Sequence, residues 1–102
     1  GVMPVIGVKD TIYYSEKGDE INSLLNRDKL FAGQSPESFK YKQYMHIHEG
    51  LSENELSLIR GSSEIAFNSG LKIKIINGDE HNYKITTVED LERFKSEVIK
   101  EV

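Results

Sequence analysis

Three short segments of the chain contain side chains that can bind an anion. Arg27 offers a planar guanidinium, which holds a phosphate through two parallel hydrogen bonds in a way that a lysine cannot imitate. Ser35 precedes Pro36-Glu37, a pattern typical of a helix start, where a hydroxyl and free backbone N–H groups meet at the positive end of the helix. Lys84 stands just before Thr86-Thr87, which predicts a second helix start. These residue types are the parts of an anion-binding site.

Each of these residues also has an interpretation without a ligand. An arginine between Asn26 and Asp28 is by itself a solvated loop residue, a serine before Pro-Glu is by itself a helix cap, and a lysine that ends a strand is usually solvated. His46 and His48 diverge on a helix and have no carboxylate or thiolate partner at ligand spacing, so no metal site is predicted. The eight glycines form neither G-x-G-x-x-G nor G-x-x-x-x-G-K, so no nucleotide-binding loop is recognisable.

Composition and charge limit the classes of partner. The 102 residues have room for a single core, and 37% apolar with 29% charged residues indicates a globular chain. A net charge of −4 argues against a nucleic-acid or membrane binder, so any phosphate site must be local. The absence of cysteine excludes disulfides and thiol nucleophiles and suits the cytoplasm. The apolar segment 1–8 is too short to span a bilayer and is better interpreted as a buried strand.

Strand and helix patterns alternate along the chain, which predicts a single α/β unit over residues 1–102. In the first third, the strand patterns cover residues 4–8, 10–15, 21–25 and 30–33, and the turn cluster at 16–20 makes the middle pair a protruding hairpin. Because an isolated two-stranded hairpin is marginally stable in water, we expect it to pack against another surface.

Capping patterns predict four helices in the remainder of the chain. The first would begin at Ser35 and end at Gly50, and the second would begin at a capping box formed by Ser52 and Glu55. Ser62 or Ser63 would cap the third. Strands are predicted at 71–75 and 83–85. Thr87 would cap a final helix over residues 87–102, with a buried stripe of Leu91, Phe94, Val98 and Val102.

Three blocks of sequence carry a resemblance to a known family. The blocks are Val8-Lys9-Asp10-Thr11-Ile12, the segment 26–36 (NRDKLFAGQSP) and the segment 82–91 (NYKITTVEDL). In this order the chain resembles the C-terminal half of the 2-C-methyl-D-erythritol 4-phosphate cytidylyltransferase family and its relatives that act on ribitol phosphate. The resemblance runs over nearly all 102 residues. It implies the C-terminal portion of a Rossmann-like nucleotidyltransferase fold, a mixed sheet with flanking helices, with the nucleotide-binding loop upstream of this chain.

The resemblance also implies a set of site residues. Thr11, Arg27, Ser35 and Lys84 would bind the substrate phosphate, and Lys84 would lie close to the reacting centre and act in catalysis. The hairpin, roughly residues 10–27, would be a dimerisation arm that carries Arg27 into the site of a second subunit. Two departures from the family pattern bear on the substrate. Glu37 stands where glutamine is usual, and Arg60-Gly61-Ser62-Ser63 stands where many relatives have Thr-Asp-Asp or Thr-Asp-Glu.

The implied function is transfer of CMP from CTP to a polyol phosphate, with release of pyrophosphate. Methylerythritol phosphate, an isoprenoid precursor, is the first acceptor to consider, and ribitol phosphate, used for cell-wall polymers, is the alternative. The family implies magnesium, with ligands mostly outside this chain, and a cytoplasmic homodimer. We expect the fragment alone to be inactive. A non-catalytic dimerisation or ligand-binding module is the competing interpretation, and it fits a chain without a nucleotide-binding loop.

Overall fold

The computed structural model describes the backbone of residues 1–101 and the side chains of residues 1–99. The described backbone forms five strands and four α-helices, with one 3₁₀ turn at Arg27–Lys29. The strands are β1 (Val2–Gly7), β2 (Tyr13–Tyr14), β3 (Ser23–Leu24), β4 (Phe31–Gly33) and β5 (Lys74–Asn77). The helices are α1 (Tyr41–Glu49), α2 (Glu53–Leu58), α3 (Ser62–Asn68) and α4 (Val88–Glu101).

A mixed three-stranded sheet of order β4-β1-β5 organises the fold. Strand β1 pairs antiparallel with β4, so that Val5 lies opposite Gly33, and parallel with β5, so that Val5 also lies opposite Asn77. This confirms the predicted α/β class with a mixed sheet. Val5 is the one buried residue of this central strand, whereas Val2 and Gly7 at its ends are exposed, so the predicted burial of the apolar run is confirmed only at its middle.

The predicted hairpin forms a separate two-stranded sheet. Tyr13 pairs with Leu24 and Tyr14 pairs with Ser23 in antiparallel register. Gly18 in the connecting turn has a φ of 75°, a left-handed conformation that glycine adopts without steric cost. The turn is closed by Ser15, whose hydroxyl accepts from the N–H of Gly18 at 2.9 Å. The hairpin is therefore encoded locally, as its sequence pattern predicted.

The predicted helix start at Ser35 is wrong. Helix α1 begins at Tyr41, with Lys40 at the cap position and no side-chain cap. The intervening segment pairs with the sheet instead, because Ser38 and Val2 exchange two backbone hydrogen bonds of 2.9 Å. That pairing holds the chain extended, so the backbone N–H groups near Ser35 do not form a positive helix end. The helix does end at Gly50, as predicted.

Of the other local predictions, the α2 capping box is confirmed, whereas the α3 cap and the strand at 83–85 are wrong. The capping box of α2 is confirmed, since Ser52 accepts from the Glu55 N–H at 3.1 Å and Glu55 accepts from the Ser52 N–H at 3.3 Å. The cap of α3 is Gly61 and not Ser62 or Ser63. Residues 83–85 form no strand, because Tyr83 packs towards α4 and donates its hydroxyl hydrogen bond to Glu97.

The described chain buries little apolar surface. Only Val5, Ile65 and Ala66 are buried hydrophobic residues within residues 1–99. The predicted stripe of α4 is not buried, with Leu91, Phe94 and Val98 39–45% exposed, and Val102 lies outside the described residues. The accessible area is 8788 Å², whereas a folded monomer of this mass exposes about 5,800 Å². The radius of gyration is 17.1 Å against about 13 Å for a compact chain of this length.

This excess exposed surface predicts association of the isolated chain. Large apolar side chains on the hairpin, the sheet and α4 remain accessible, and removing such surface from water favours self-association. We expect light scattering to report a mass of at least two chains, with larger species at higher concentration. A stable monomer throughout a dilution series would contradict this expectation.

Candidate functional site

Ser35 and Lys84, distant in sequence, line one cavity. Its volume is about 370 Å³, and its walls are Met3, Gly33, Gln34, Ser35, Glu37, Asn82, Tyr83 and Lys84. Both Ser35 and Lys84 are exposed, so a hydroxyl and an ammonium group are available to a ligand that enters from solvent. Glu37 contributes a carboxylate to the same wall. We call this cavity the lysine pocket.

The backbone before Ser35 is fixed by the sheet. The N–H of Gln34 donates to the carbonyl of Pro4 in β1 at 2.8 Å, which extends the pairing of β4 by one residue. The carbonyl of Ser35 accepts a hydrogen bond of 2.6 Å from the side-chain amide of Asn82. Ser35 is therefore held in place without the helix that the sequence predicted.

Lys84 lies between two attachments of its loop to α4. On one side, the hydroxyl of Tyr83 donates to Glu97 at 3.0 Å, and the Arg93 guanidinium stacks on the Tyr83 ring with 3.8 Å between Cζ and the ring centroid. Arg93 also donates to Glu97 at 3.1 Å. Because these three side chains contact one another, the tyrosine adjacent to Lys84 is anchored to the helix.

The second attachment is the start of α4. Thr87 and Asp90 cap each other, with the Asp90 N–H donating to the Thr87 hydroxyl and the Thr87 N–H donating to Asp90, both at 3.1 Å. The backbone N–H and the hydroxyl of Thr86 also donate to Asp90 at 3.1 Å. This confirms the predicted threonine cap and fixes the backbone that follows Lys84.

These contacts shift the pKa values of the groups involved. Partial burial, followed by the hydrogen bond to the Glu97 carboxylate, raises the pKa of Tyr83. The hydrogen bonds from Tyr83 and then Arg93 lower the pKa of Glu97. The backbone N–H of Thr86, then the Thr87 hydroxyl and N–H, lower the pKa of Asp90 because they stabilise its charged form.

The lowered pKa of Asp90 predicts an acid-induced loosening of the α4 start. Because the folded pKa lies below that of the unfolded chain, the carboxylate stabilises this turn above about pH 4, and the stabilisation is lost as the pH falls through the folded value. We expect the amide resonances of Thr86 and Thr87 to titrate together below about pH 4. In Asp90→Asn this transition should be absent, and its persistence would contradict the assignment.

Thr11 and Arg27 line a different cavity. Its volume is about 520 Å³, and its walls are Thr11, Leu24, Leu25, Asn26, Arg27 and Asp28. Arg27 begins the 3₁₀ turn that Asn26 caps by accepting from the Asp28 N–H at 3.1 Å. One guanidinium nitrogen donates to the carbonyl of Lys9 at 2.7 Å, and the remaining N–H groups of the fork are available to an anion. We call this cavity the arginine pocket.

Within one chain, the two cavities share no lining residue. Lys9 links them, because its carbonyl accepts from Arg27 and its ammonium group pairs with Glu80 in the loop that leads to Lys84. The hydrogen bond from the Lys9 ammonium group, and then its positive charge, lower the pKa of Glu80. The four residues that the sequence suggested are thus brought together in pairs, Thr11 with Arg27 and Ser35 with Lys84.

Sequence reasoning missed the residues that position these pairs. Gln34, Asn82 and Lys9 act through partners that are distant along the chain, with Gln34 bonded to Asp79 and Asn82. No local pattern marks such contacts, because capping and periodicity describe only neighbours in sequence. The only sequence feature that could have pointed to Gln34 and Asn82 is their location within the blocks that carried the family resemblance.

The described residues contain no group of three or more histidine, cysteine, aspartate or glutamate side chains arranged to hold a metal. His81 pairs instead with Asp79, whose carboxylate lies 3.0 Å from the imidazole Nδ1, and this contact contributes to the lowered pKa of Asp79 after the His81 backbone N–H. Among residues 1–101, no helix has the length and apolar content to cross a membrane.

Comparison with known proteins gives consistent matches. The model of the family described as 2-C-methyl-D-erythritol 4-phosphate cytidylyltransferase (IspD) matches residues 1–99. A bifunctional IspD/IspF enzyme of Paramagnetospirillum magneticum is 36% identical over 93 residues, 91% of this chain and 23% of that protein. A ribitol-5-phosphate cytidylyltransferase of Streptococcus pneumoniae serotype 19F is 34% identical over 87 residues, 85% of this chain and 37% of that protein.

Solved structures show the same fold. A 4-diphosphocytidyl-2C-methyl-D-erythritol synthase of Anaerococcus prevotii superimposes with a TM-score of 0.76 at 24% identity, covering 95% of this chain and 45% of that one. A Thermus thermophilus cytidylyltransferase superimposes with a TM-score of 0.70 at 22% identity, covering 99% and 48%. The chain thus spans less than half the length of these relatives. On the family match over residues 1–99, it belongs to the 2-C-methyl-D-erythritol 4-phosphate cytidylyltransferase family.

Proposed function

We propose that this chain is the acceptor-binding part of a cytidylyltransferase that transfers CMP from CTP to a polyol phosphate and releases pyrophosphate. The observation that carries the proposal is the pairing of Ser35 with Lys84 in one cavity and of Thr11 with Arg27 in another. Each pair combines a hydroxyl with a cation, which is the set of donors that a phosphate monoester requires. Family membership supplies the reaction.

In the proposed reaction, an oxygen of the acceptor phosphate forms a bond to the α-phosphorus of CTP. The bond from that phosphorus to the oxygen bridging it to the β-phosphorus breaks, and pyrophosphate leaves. No covalent enzyme intermediate is needed, so the chain contributes by positioning the acceptor and by neutralising its charge. Lys84 and Arg27 would hold the acceptor oxygens, and Ser35 and Thr11 would orient them. Nucleotide and magnesium contacts would come from residues outside this chain.

The hairpin would act as a dimerisation arm that spans roughly residues 10–27. Its apolar side chains Tyr13, Tyr14, Ile21 and Leu24 are 49–65% exposed, although a two-stranded sheet of this length needs packing to be stable. A second copy that covers these side chains would bring the arginine pocket of one subunit to the lysine pocket of its partner. This arrangement would explain why neither pocket alone contains both cations.

The acceptor would be methylerythritol phosphate or ribitol phosphate, and the similar proteins include one named for each. Arg60 begins the segment between α2 and α3 in which this chain departs from the family pattern. The change from acidic to basic side chains there bears on which of the two acceptors is used, because local charge contributes to specificity. The absence of cysteine is compatible with action in the cytoplasm.

The proposal is tested by assaying the complete gene product with CTP against a panel of polyol phosphates. We expect pyrophosphate release with methylerythritol phosphate or ribitol phosphate, and none from the 102-residue chain alone. If the complete product dimerises but releases no pyrophosphate with any acceptor, the chain is a non-catalytic module and the proposal fails. Pyrophosphate release by the purified chain would contradict the inactivity of the fragment.

A further inference from the structure

A reciprocal set of amide hydrogen bonds joins the two walls of the lysine pocket. The side chain of Gln34 donates from Nε2 to the carbonyls of Asp79 at 2.8 Å and Asn82 at 3.0 Å, and its Oε1 accepts from the Asp79 N–H at 3.1 Å. The side-chain amide of Gln34 thus uses both its N–H donors and its oxygen acceptor to bind the loop at residues 79–82. In return, Asn82 donates from Nδ2 to the carbonyl of Ser35 at 2.6 Å. We call Gln34 and Asn82 the amide clamp.

The clamp acts on the backbone beside both ligand-binding candidates. Gln34 precedes Ser35 directly, and Asn82 lies two positions before Lys84. The loop at residues 79–82 is closed by a hydrogen bond of 3.0 Å from the Asn82 N–H to the Asp79 carbonyl. The spacing between Ser35 and Lys84 therefore depends on two side chains that would not themselves have to contact the phosphate.

Gly78 shows how closely the loop approaches β1 and Gln34. Its N–H donates to the carbonyl of Val5 at 2.8 Å. A methyl group on Gly78 would lie 2.9 Å from that oxygen and would overlap the side-chain amide of Gln34. Because contacts below 3.0 Å are not tolerated, any side chain here would displace the loop or the glutamine.

We infer that Gln34, supported by Asn82, is a positioning residue that sets the geometry of the phosphate-binding pocket between Ser35 and Lys84. The inference rests on the proposed function for the identity of the ligand. A carboxylate in place of the Gln34 amide would lose both donors and would face the carbonyl oxygens of Asp79 and Asn82. Repulsion between these oxygens would open the loop and move Lys84 away from Ser35.

The test compares Gln34→Glu with Gln43→Glu in the complete gene product. Gln43 is an exposed residue of α1, so its substitution makes the same change of charge and shape away from the pocket. Inorganic phosphate is titrated into the labelled protein, and the amide shifts of Ser35 and Lys84 are followed. We expect Gln34→Glu to weaken phosphate binding about tenfold and Gln43→Glu to leave it unchanged. Gly78→Ala and Asn82→Asp should weaken it in the same direction.

A second readout separates positioning from general damage. In turnover assays, Gln34→Glu should raise the KM for the polyol phosphate about tenfold while the KM for CTP stays within about twofold. Equal loss of phosphate and CTP affinity would mean that the clamp only maintains the fold, and this would overturn the inference. Unchanged phosphate affinity in Gln34→Glu, or no saturable phosphate binding by the wild-type protein, would also overturn it.

The outcome for the clamp is distinguishable from the outcome for the proposed function. Phosphate binding is measured without turnover, so it does not require the transferase reaction. If Gln34→Glu selectively weakens phosphate binding but the wild-type protein releases no pyrophosphate from CTP, the clamp stands and the transferase assignment fails.

Discussion

Replacement of Lys84 by alanine should lower kcat/KM for the polyol phosphate about 100-fold in the complete gene product, because a fixed cation that offsets charge at a transferring phosphoryl group contributes on that scale. The Tyr83–Glu97 contact and the Thr86–Asp90 contact fix the backbone on both sides of Lys84, so its side chain starts from a defined position beside the pocket. Steady-state kinetics with varied acceptor would measure the loss. The effect should fall on kcat/KM for the acceptor, with the KM for CTP little changed.

The matched control for this variant is Lys42→Ala. Lys42 is an exposed lysine on α1, outside both pockets, and its removal changes the net charge by the same amount. We expect it to retain the activity of the wild-type protein. If Lys84→Ala and Lys42→Ala turn over the acceptor equally fast, Lys84 has no part in the site.

Mixing two inactive variants should restore activity if the site is shared between subunits. Arg27→Ala and Lys84→Ala would each remove one cation from every site of their homodimers. In a heterodimer of the two variants, one site receives Lys84 from the Arg27→Ala chain and Arg27 from the Lys84→Ala chain, so this site has both cations. The other site of the same heterodimer has neither. Random pairing makes about half of the dimers heterodimers, each with one working site of two, so activity should return to about one quarter of wild type.

The two variants are co-expressed with different tags, and the doubly tagged heterodimer, once isolated, should have about half of the wild-type activity because one of its two sites is intact. Each variant expressed alone is the control for residual activity. If both cations came from the same chain, every site in the mixture would lack one of them and no activity would return. When the partner chain carries both Arg27→Lys and Lys84→Ala, pairing with Arg27→Ala should restore less activity than pairing with Lys84→Ala does. The site that keeps Lys84 would then contain an ammonium group in place of the guanidinium, and an ammonium group cannot form the two parallel hydrogen bonds.

The elements that the sequence predicted correctly are those encoded by neighbouring residues. The β1 strand follows from an apolar run, the hairpin from a polar turn between two β-rich stretches, and α2 from the Ser52–Glu55 capping box. The start of α4 follows from Thr87 and Asp90, three residues apart. For the hairpin, α2 and the start of α4, the stabilising contacts join residues that are close in sequence, so a local pattern is sufficient to predict these elements. Strand β1 pairs with distant strands, but its continuous apolar run is itself the pattern that predicts it.

The local predictions that failed are those in which a distant partner competed for the same groups. Ser35-Pro36-Glu37 has a helix-start pattern, but the backbone of Ser38 forms two hydrogen bonds with Val2, which hold the segment against the sheet. Residues 83–85 have a strand pattern, but Tyr83 is drawn to Glu97 on α4. The stripe of α4 has the period of a buried face, yet burial depends on a covering surface that the pattern does not specify.

For the candidate site, the sequence by itself determined the chemical groups: a guanidinium, an ammonium and two hydroxyls in blocks typical of one family. Only the tertiary structure decided how they are grouped, with Ser35 beside Lys84 and Thr11 beside Arg27. The physical reason is that residue type is a local property, whereas the spacing between two segments is set by hydrogen bonds such as those from Gln34 to the loop at 79–82, which join residues 45 and 48 positions apart.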